Sequence, residues 1–168
     1  AEDLFYNVPA RLKFLRSKAS ENAQIRELLE RIALCYPEIE FSFYSDGKRT
    51  LHIKSAPDEV SRFSFISETQ VKDLEFFQGQ FEGIRVQGWL DRNTRASNSR
   101  HSYLSVNRRM VRDKLLQQAV LMSLRPRMME GEYPRVYLKI EVDPGEVDVN
   151  VHPAKSEVRF RKPRDVFQ

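Results

Sequence analysis

Cysteine occurs once in this chain, at Cys35, which excludes an internal disulfide. Its neighbours are apolar helix positions, so it is expected to pack in a core, and a reduced, intracellular setting suits it. The six glycines are scattered and lack the spacing of a phosphate-cradling loop or a dinucleotide-binding turn. No Gly-x-Ser-x-Gly elbow is present to carry a serine nucleophile. His52, His101 and His152 have no carboxylate or cysteine at metal-ligand spacing, so no metal site is expected. Uninterrupted apolar runs fall far short of the roughly 18 residues that a membrane-spanning helix needs. The chain opens on "AEDLFYNVPAR", with neither an initiator Met nor a basic-then-apolar leader, and stops at "PRDVFQ". It reads as a piece of a longer protein. Nothing in it reads as a self-contained enzyme.

What is present is enough for one good-sized core or two small ones. The 168 residues are 40% hydrophobic and 31% charged, with a net charge of +4, which is ordinary for a soluble globular domain. The distribution of charge says more than its sum. Arg92 through Arg112 hold six arginines (92, 95, 100, 108, 109 and 112) and no Asp or Glu. Such a stretch suits a polyanionic partner and equally suits a solvated loop; charge alone does not choose between them.

Periodicity organises the rest. Ser20 is placed to cap a helix with Glu21 in its first turn, and Ile25, Leu28, Leu29, Ile32 and Tyr36 follow at helical spacing before Pro37 closes it. The pairs Arg26–Glu30 and Glu27–Arg31 fall on its expected wet side, worth about 0.3 kcal/mol each. Ile39, Phe41 and Phe43 alternate into Asp46-Gly47, and Leu51 and Ile53 alternate out, which predicts a β-hairpin. Pro57 opens a short helix carrying Val60, Phe63 and Ile66. Strands near 71–78 and 83–90 flank a turn marked by Gly79 and Gly83. Residues 91–100, "DRNTRASNSR", hold no large apolar side chain and predict a mobile loop. A strand over 101–107 leads through "NRRMVRD", a tight link, into a helix capped by Asp113. Leu116, Ala119, Val120 and Leu124 would be its buried stripe, and Pro126 its end. Val136, Leu138, Ile140 and Val142 form an amphipathic strand, which Pro144-Gly145 turns into the last segment. Helices interrupting runs of strands predict an α+β fold, a two-layer β-α sandwich.

That last segment, "VDVNVHPAKSEVRF" at 147–160, alternates Val147, Val149 and Val151 with Asp148, Asn150 and His152. Pro153 cannot donate to a ladder, so the strand should stop there or lie at an edge. Alternation returns with Val158 and Phe160. Lys155 therefore stands at the tip of a tight connection between two half-buried strands, an ammonium suited to a point contact with a phosphate. Asp148, Asn150 and His152 share a strand face that is either a small polar site or simply the solvent side.

Three stretches carry a resemblance. "DLFYNVPARLKFL" at 3–15, "YLSVNRRMVRDKLL" at 103–116 and "VDVNVHPAKSEVRF" resemble signatures of the MutL family of DNA mismatch-repair ATPases, in the family's order. They frame nearly the whole chain. The resemblance implies membership of the GHKL ATPase group, shared with gyrase B and a heat-shock chaperone. In that group an N-terminal domain holds Mg-ATP and a second, transducer domain follows. The transducer is a β-α sandwich with a left-handed β-α-β crossover, akin to the second domain of a ribosomal small-subunit protein, and it sends one lysine to the ATP γ-phosphate. By the match to "HPAK" that lysine is Lys155, with Asn150, His152 and Pro153 positioning its loop. Residues 1–19 would then be the junction from an upstream ATP-binding domain and 20–168 the transducer. Phe5, Asn7, Pro9 and Arg11 would serve the junction, Pro9 in a first helical turn.

The family's ATP-pocket motifs lie upstream of "DLFYN", so the parent protein is expected to use ATP and Mg while this chain alone neither binds ATP tightly nor hydrolyses it. The resemblance also implies a basic groove for DNA, here Arg109, Arg112 and Lys114, joined by Arg108. No aromatic interleaving accompanies these cations, which favours sequence-independent phosphate contact, weak in isolation, with a salt slope of roughly −3. The family usually has Asn-Gly-Arg where this chain reads Asn107-Arg108-Arg109. Losing the Gly removes easy access to positive φ, so either the turn type differs or Arg108 bears strain. Implied partners are DNA, a MutS-type mismatch recognition protein, a downstream repair nuclease or helicase, and a second copy of the parent in an ATP-bound homodimer; no membrane is expected, and the setting is cytoplasmic, nucleoid-associated and bacterial in type. The rival readings are a passive nucleic-acid-binding module of the same fold and another, gyrase-type GHKL member.

Overall fold

The computed structural model describes residues 5–148 and 159–161. A short helix α1 (Pro9–Leu12) precedes the long helix α2 (Lys18–Cys35). Ser17, not Ser20, caps α2: its side chain accepts the Ser20 N–H, so Ser20 lies one turn inside. Strands β1 (Phe41–Ser45) and β2 (Lys48–Ile53) pair antiparallel across Asp46-Gly47. Both turn residues have positive φ, 52° and 72°, the geometry that matches the twist of a two-residue hairpin. Helix α3 (Glu59–Ser67) starts at Asp58, whose carboxylate accepts the Ser61 N–H at 2.8 Å.

The core sheet follows. It contains β3 (Leu74–Phe81), β4 (Ile84–Ala96), β5 (Ser102–Val106), β6 (Arg109–Val111) and β7 (Tyr133–Glu141), in the order β3-β4-β7-β5-β6. Helix α4 (Lys114–Leu124) connects β6 to β7, and β5 runs parallel to β7 while the other neighbours are antiparallel. A parallel pair needs such a crossover. A small ribbon, β8 (Val147–Asp148) with β9 (Arg159–Phe160), completes the described chain. The α+β sandwich is the class that the periodicity predicts, and a β-α-β crossover is what the resemblance implies.

Successive strand residues point to opposite faces, and that divides the helices. Tyr103 and Tyr137 pack with Leu34 of α2 and Phe63 of α3. Leu104, Val106 and Ile140, next along the same strands or in alternation with those tyrosines, pack with Leu116 of α4 and with Phe160. Helices α2 and α3 therefore cover one face, and α4 with the β8–β9 ribbon covers the other. Gly88, inside β4, is required: a Cβ there would overlap the Tyr137 carbonyl oxygen.

Four expectations are corrected by the packing. Residues 91–96 are not a loop but the far end of β4, pairing again at Arg95–Pro134 and Ala96–Tyr133 after a bulge. Asp91 and Asn93 find polar partners there. Asp91, fully buried, accepts the Thr69 hydroxyl at 2.7 Å and the Asn93 N–H at 2.9 Å, and Asn93 donates to Asp73. "NRRMVRD" is not only a link, since its middle forms the edge strand β6. Gly79 lies within β3, and the β3–β4 turn is Glu82-Gly83.

The fourth correction concerns which side of α2 is wet. Ala33, Leu34, Cys35 and Arg31 are buried, whereas Ile25 is 39%, Leu28 55% and Tyr36 37% exposed. Helical spacing identified the helix but not its rotation about its own axis. Burial pushes the Cys35 thiol up to about 11, so it stays a protonated packing group. Among the described residues no helix is long and apolar enough to cross a membrane.

Candidate nucleic-acid interface

The basic stretch is organised by the turn between β5 and β6. Val106 pairs with Arg109, leaving Asn107 and Arg108 as a two-residue loop with φ of 48° and 62°. This is the same turn geometry as Asp46-Gly47, built here without glycine. A non-glycine residue in that region costs about 1–2 kcal/mol, and side-chain contacts offset it. Asn107 clamps the end of β7: its amide donates to the Val142 carbonyl at 2.9 Å, and its Oδ1 accepts the Val142 N–H at 3.0 Å. The Arg108 guanidinium lies over the Tyr36 ring at 5.2 Å, donates to the Cys35 carbonyl at 3.3 Å and is 3.7 Å from Glu38. Arg108 therefore holds a positive φ itself, one of the two outcomes the missing glycine left open.

Alternation along β6 then divides the cations. Met110 joins the face with Tyr103 and Tyr137, and Val111 joins the face with Leu116. Arg112 follows Met110 toward α2, where its Nη2 meets Glu27 Oε1 at 2.6 Å. The same carboxylate oxygen receives Arg31 Nε at 3.3 Å. Arg31 is 5% exposed and stands 5.5 Å from the Tyr103 ring centroid. Burial first, and Arg112 second, hold the Arg31 guanidinium below its ordinary pKa. Arg108 and Arg112 are thus engaged within the molecule.

Arg109 shares the register of Val111 on the α4 side. Lys114 opens α4, directly after Asp113, which accepts the Leu116 N–H at 2.9 Å. Lys114 is exposed and lines a cavity of about 310 Å³ with Ser99, Ser102, Gln117 and Tyr133. Neither Arg109 nor Lys114 has an ion-pair partner among the described residues. The expected row of Arg108, Arg109, Arg112 and Lys114 is therefore two pairs on opposite sides of β6. The contact of Glu27 with Arg112 was missed because 85 residues separate them, and no local pattern signals it.

Of the junction residues, Pro9 occupies the first turn of α1 as expected. Phe5 is half-buried with φ of 67°, and its carbonyl accepts the Val8 N–H at 2.9 Å. Asn7, Pro9 and Arg11 are exposed, with Tyr6 at 77% and Phe14 at 85% beside them. Lys155, Asn150, His152 and Pro153 lie outside the described residues. Their flanks are described: Val147 pairs with Phe160, both pack against the Leu116 cluster, and the Arg161 N–H donates to the Glu146 carbonyl at 2.8 Å. His52, with no metal-ligand spacing in the sequence, meets Glu40 at 3.0 Å across the β1–β2 ribbon.

Residues 64–168, more than half the chain, match the family described as DNA mismatch repair protein, C-terminal domain. The chain belongs to the MutL family of DNA mismatch repair proteins. It is 40% identical over 168 residues to the DNA mismatch repair protein MutL of Trichlorobacter lovleyi, a match covering 98% of this chain and 28% of that relative. To MutL of Geobacter sulfurreducens it is 41% identical over 163 residues, covering 95% of this chain and 27% of the relative. The chain thus spans little more than a quarter of these MutL proteins. Its fold matches the ATPase domain of the mismatch repair endonuclease MutL of Aquifex aeolicus with a TM-score of 0.67 at 25% identity, covering 98% of this chain and 57% of that one. The same Aquifex domain complexed with ADP matches with a TM-score of 0.64 at 28% identity, covering 83% of this chain and 50% of that one. The MutL signatures read from the sequence and the family match agree.

Proposed function

We propose that this chain is the transducer segment of a MutL-type mismatch-repair ATPase, with residues 20–168 as the transducer and 1–19 as the junction from an upstream ATP-binding domain. Lys155 would meet the ATP γ-phosphate across that junction, and ATP and Mg would be held by the upstream domain. One observation supports this most: the β8–β9 ribbon, seated on the core through Val147 and Phe160, joins the two ends of the segment that carries Lys155. A short, anchored base is what a charge needs if it is to be aimed at a phosphate. Phosphoryl transfer leaves a protein mainly positioning and charge stabilisation to supply. Because the contact exists only while the γ-phosphate does, it would bias a two-domain equilibrium and so report nucleotide state.

The DNA interface of this reading centres on Arg109 and Lys114, which have no ion-pair partner among the described residues. Arg108 and Arg112, whose exposed ion pairs are individually weak, would join when a phosphate competes for them. Partners follow from the reading: DNA without sequence preference, a MutS-type recognition protein, a repair nuclease or helicase downstream, and a homodimer of the ATP-bound parent, in the cytoplasm. The chain alone would hydrolyse no ATP.

The deciding experiment joins the chain to its upstream ATP-binding domain and compares single-turnover ATP hydrolysis with that of Lys155→Ala. Loss of one preorganised charge donor should slow the reaction by about a hundredfold with the fold unchanged by circular dichroism. An unchanged rate would sink the assignment.

A further inference from the structure

An open groove of about 690 Å³ runs between α2 and the β5–β6 edge. One wall is the ridge Ile25, Leu28, Ile32 and Tyr36, and the other carries Arg108, Arg109 and Arg112. Three features set it apart from ordinary surface. Its apolar ridge recurs at helical spacing along about 16 Å of α2, yet Ile25, Leu28 and Tyr36 are 39%, 55% and 37% exposed. Arg31 lines the same groove while 5% exposed, and its Nη1 is buried without a hydrogen-bond partner. Three arginines face the space, Arg31, Arg108 and Arg112, and among the described residues only Glu27 and Glu38 form ion pairs with them.

The geometry points to a docking site for an acidic amphipathic helix of a partner protein, with aliphatic side chains on the α2 ridge and carboxylates toward Arg108, Arg112 and Arg31. The ridge selects the conformation of the occupant. A row of side chains spaced by three and four residues is what a second helix packs against, its own ridge entering the adjoining groove. The arginines select its charge. A guanidinium fork takes both oxygens of one carboxylate, and a desolvated, incompletely paired arginine such as Arg31 is stabilised by a further anion nearby. A nucleic-acid backbone would satisfy the arginines but leave the Ile25–Tyr36 ridge bare, which is why a protein segment fits better. The site lies on the α2 side of β6, away from Lys114, and does not depend on the γ-phosphate reading.

The test uses the full chain and two fluorescein-labelled peptides. One is an amphipathic helix of Leu with Glu on its flanks, and the other is identical with Lys in place of every Glu. Anisotropy should show the Glu peptide binding and the Lys peptide binding at least about tenfold more weakly. Leu28→Asp, a change at an exposed position, should weaken the Glu peptide by about tenfold or more and leave duplex-DNA binding unchanged. Amide shifts on titration should fall on residues 25–36 and 108–112. Four results would each overturn the proposal: no binding of the Glu peptide, equal binding of both, shifts elsewhere, or equal loss of DNA binding in Leu28→Asp. Concentration-dependent self-association abolished by Leu28→Asp would assign the groove to a second copy instead.

Discussion

The two sides of β6 use the same residue type in different ways. Toward α2, Arg108 and Arg112 are held by Tyr36, Glu38, Glu27 and the Cys35 carbonyl. Toward α4, Arg109 and Lys114 have no internal ion pair among the described residues. The first pair contributes to seating a helix on the sheet, and the second is available to an external anion. A basic stretch in a sequence is therefore not one patch. Strand alternation deals its members to opposite faces, and the neighbours on each face decide which charges are spent inside the molecule.

The harshest way to break this contrast is to remove the sheet beneath both sides. Gly88→Ala would drive a methyl into the Tyr137 carbonyl, and such overpacking against backbone should cost about 3 kcal/mol or more. Chemical denaturation should show both sides lost in one transition. Leu34→Ala, at 0% exposure, attacks the α2 side alone and should cost about 2–5 kcal/mol. Glu27→Gln is more selective still. It withdraws the charge shared by Arg112 and buried Arg31, at about 1–3 kcal/mol, while denaturant midpoints of Lys114→Ala and Arg109→Ala stay within about 0.5 kcal/mol of the parent.

DNA binding sharpens the contrast from the other direction. Arg109→Ala and Lys114→Ala should each weaken duplex binding about equally for any sequence and lower the salt slope by about one. Arg112→Ala should do less, because its charge is already met by Glu27. Equal losses at all positions would show that the internal pairs open freely. Arg108→Gly probes the turn itself. Relief of the positive φ, about 1 kcal/mol, should nearly cancel the lost contact with Tyr36, leaving stability within about 1 kcal/mol by thermal melting.

Much of this is legible in the sequence. The Asp46-Gly47 hairpin, the Asp113 cap, the Val136–Ile140 strand and the MutL signatures rest on local chemistry, where spacing and turn residues speak directly. What failed to be read was relational. Residues 91–96 look like loop because they are polar, yet Thr69 and Asp73, distant in sequence, supply the hydrogen bonds that let a polar strand persist. The α2 stripe has helical spacing on more than one side, so periodicity named the helix without saying which face it would bury.

The sequence by itself determined most of the elements, the family and the residue types that can meet a phosphate, because each depends on neighbours a few positions apart. Only the tertiary structure decided that α2 turns Arg31 inward and Leu28 outward, and that Glu27 claims Arg112 from 85 residues away. Those choices depend on which face has the best volume and charge to pack against. That is a property of the assembled sheet and not of any segment in it.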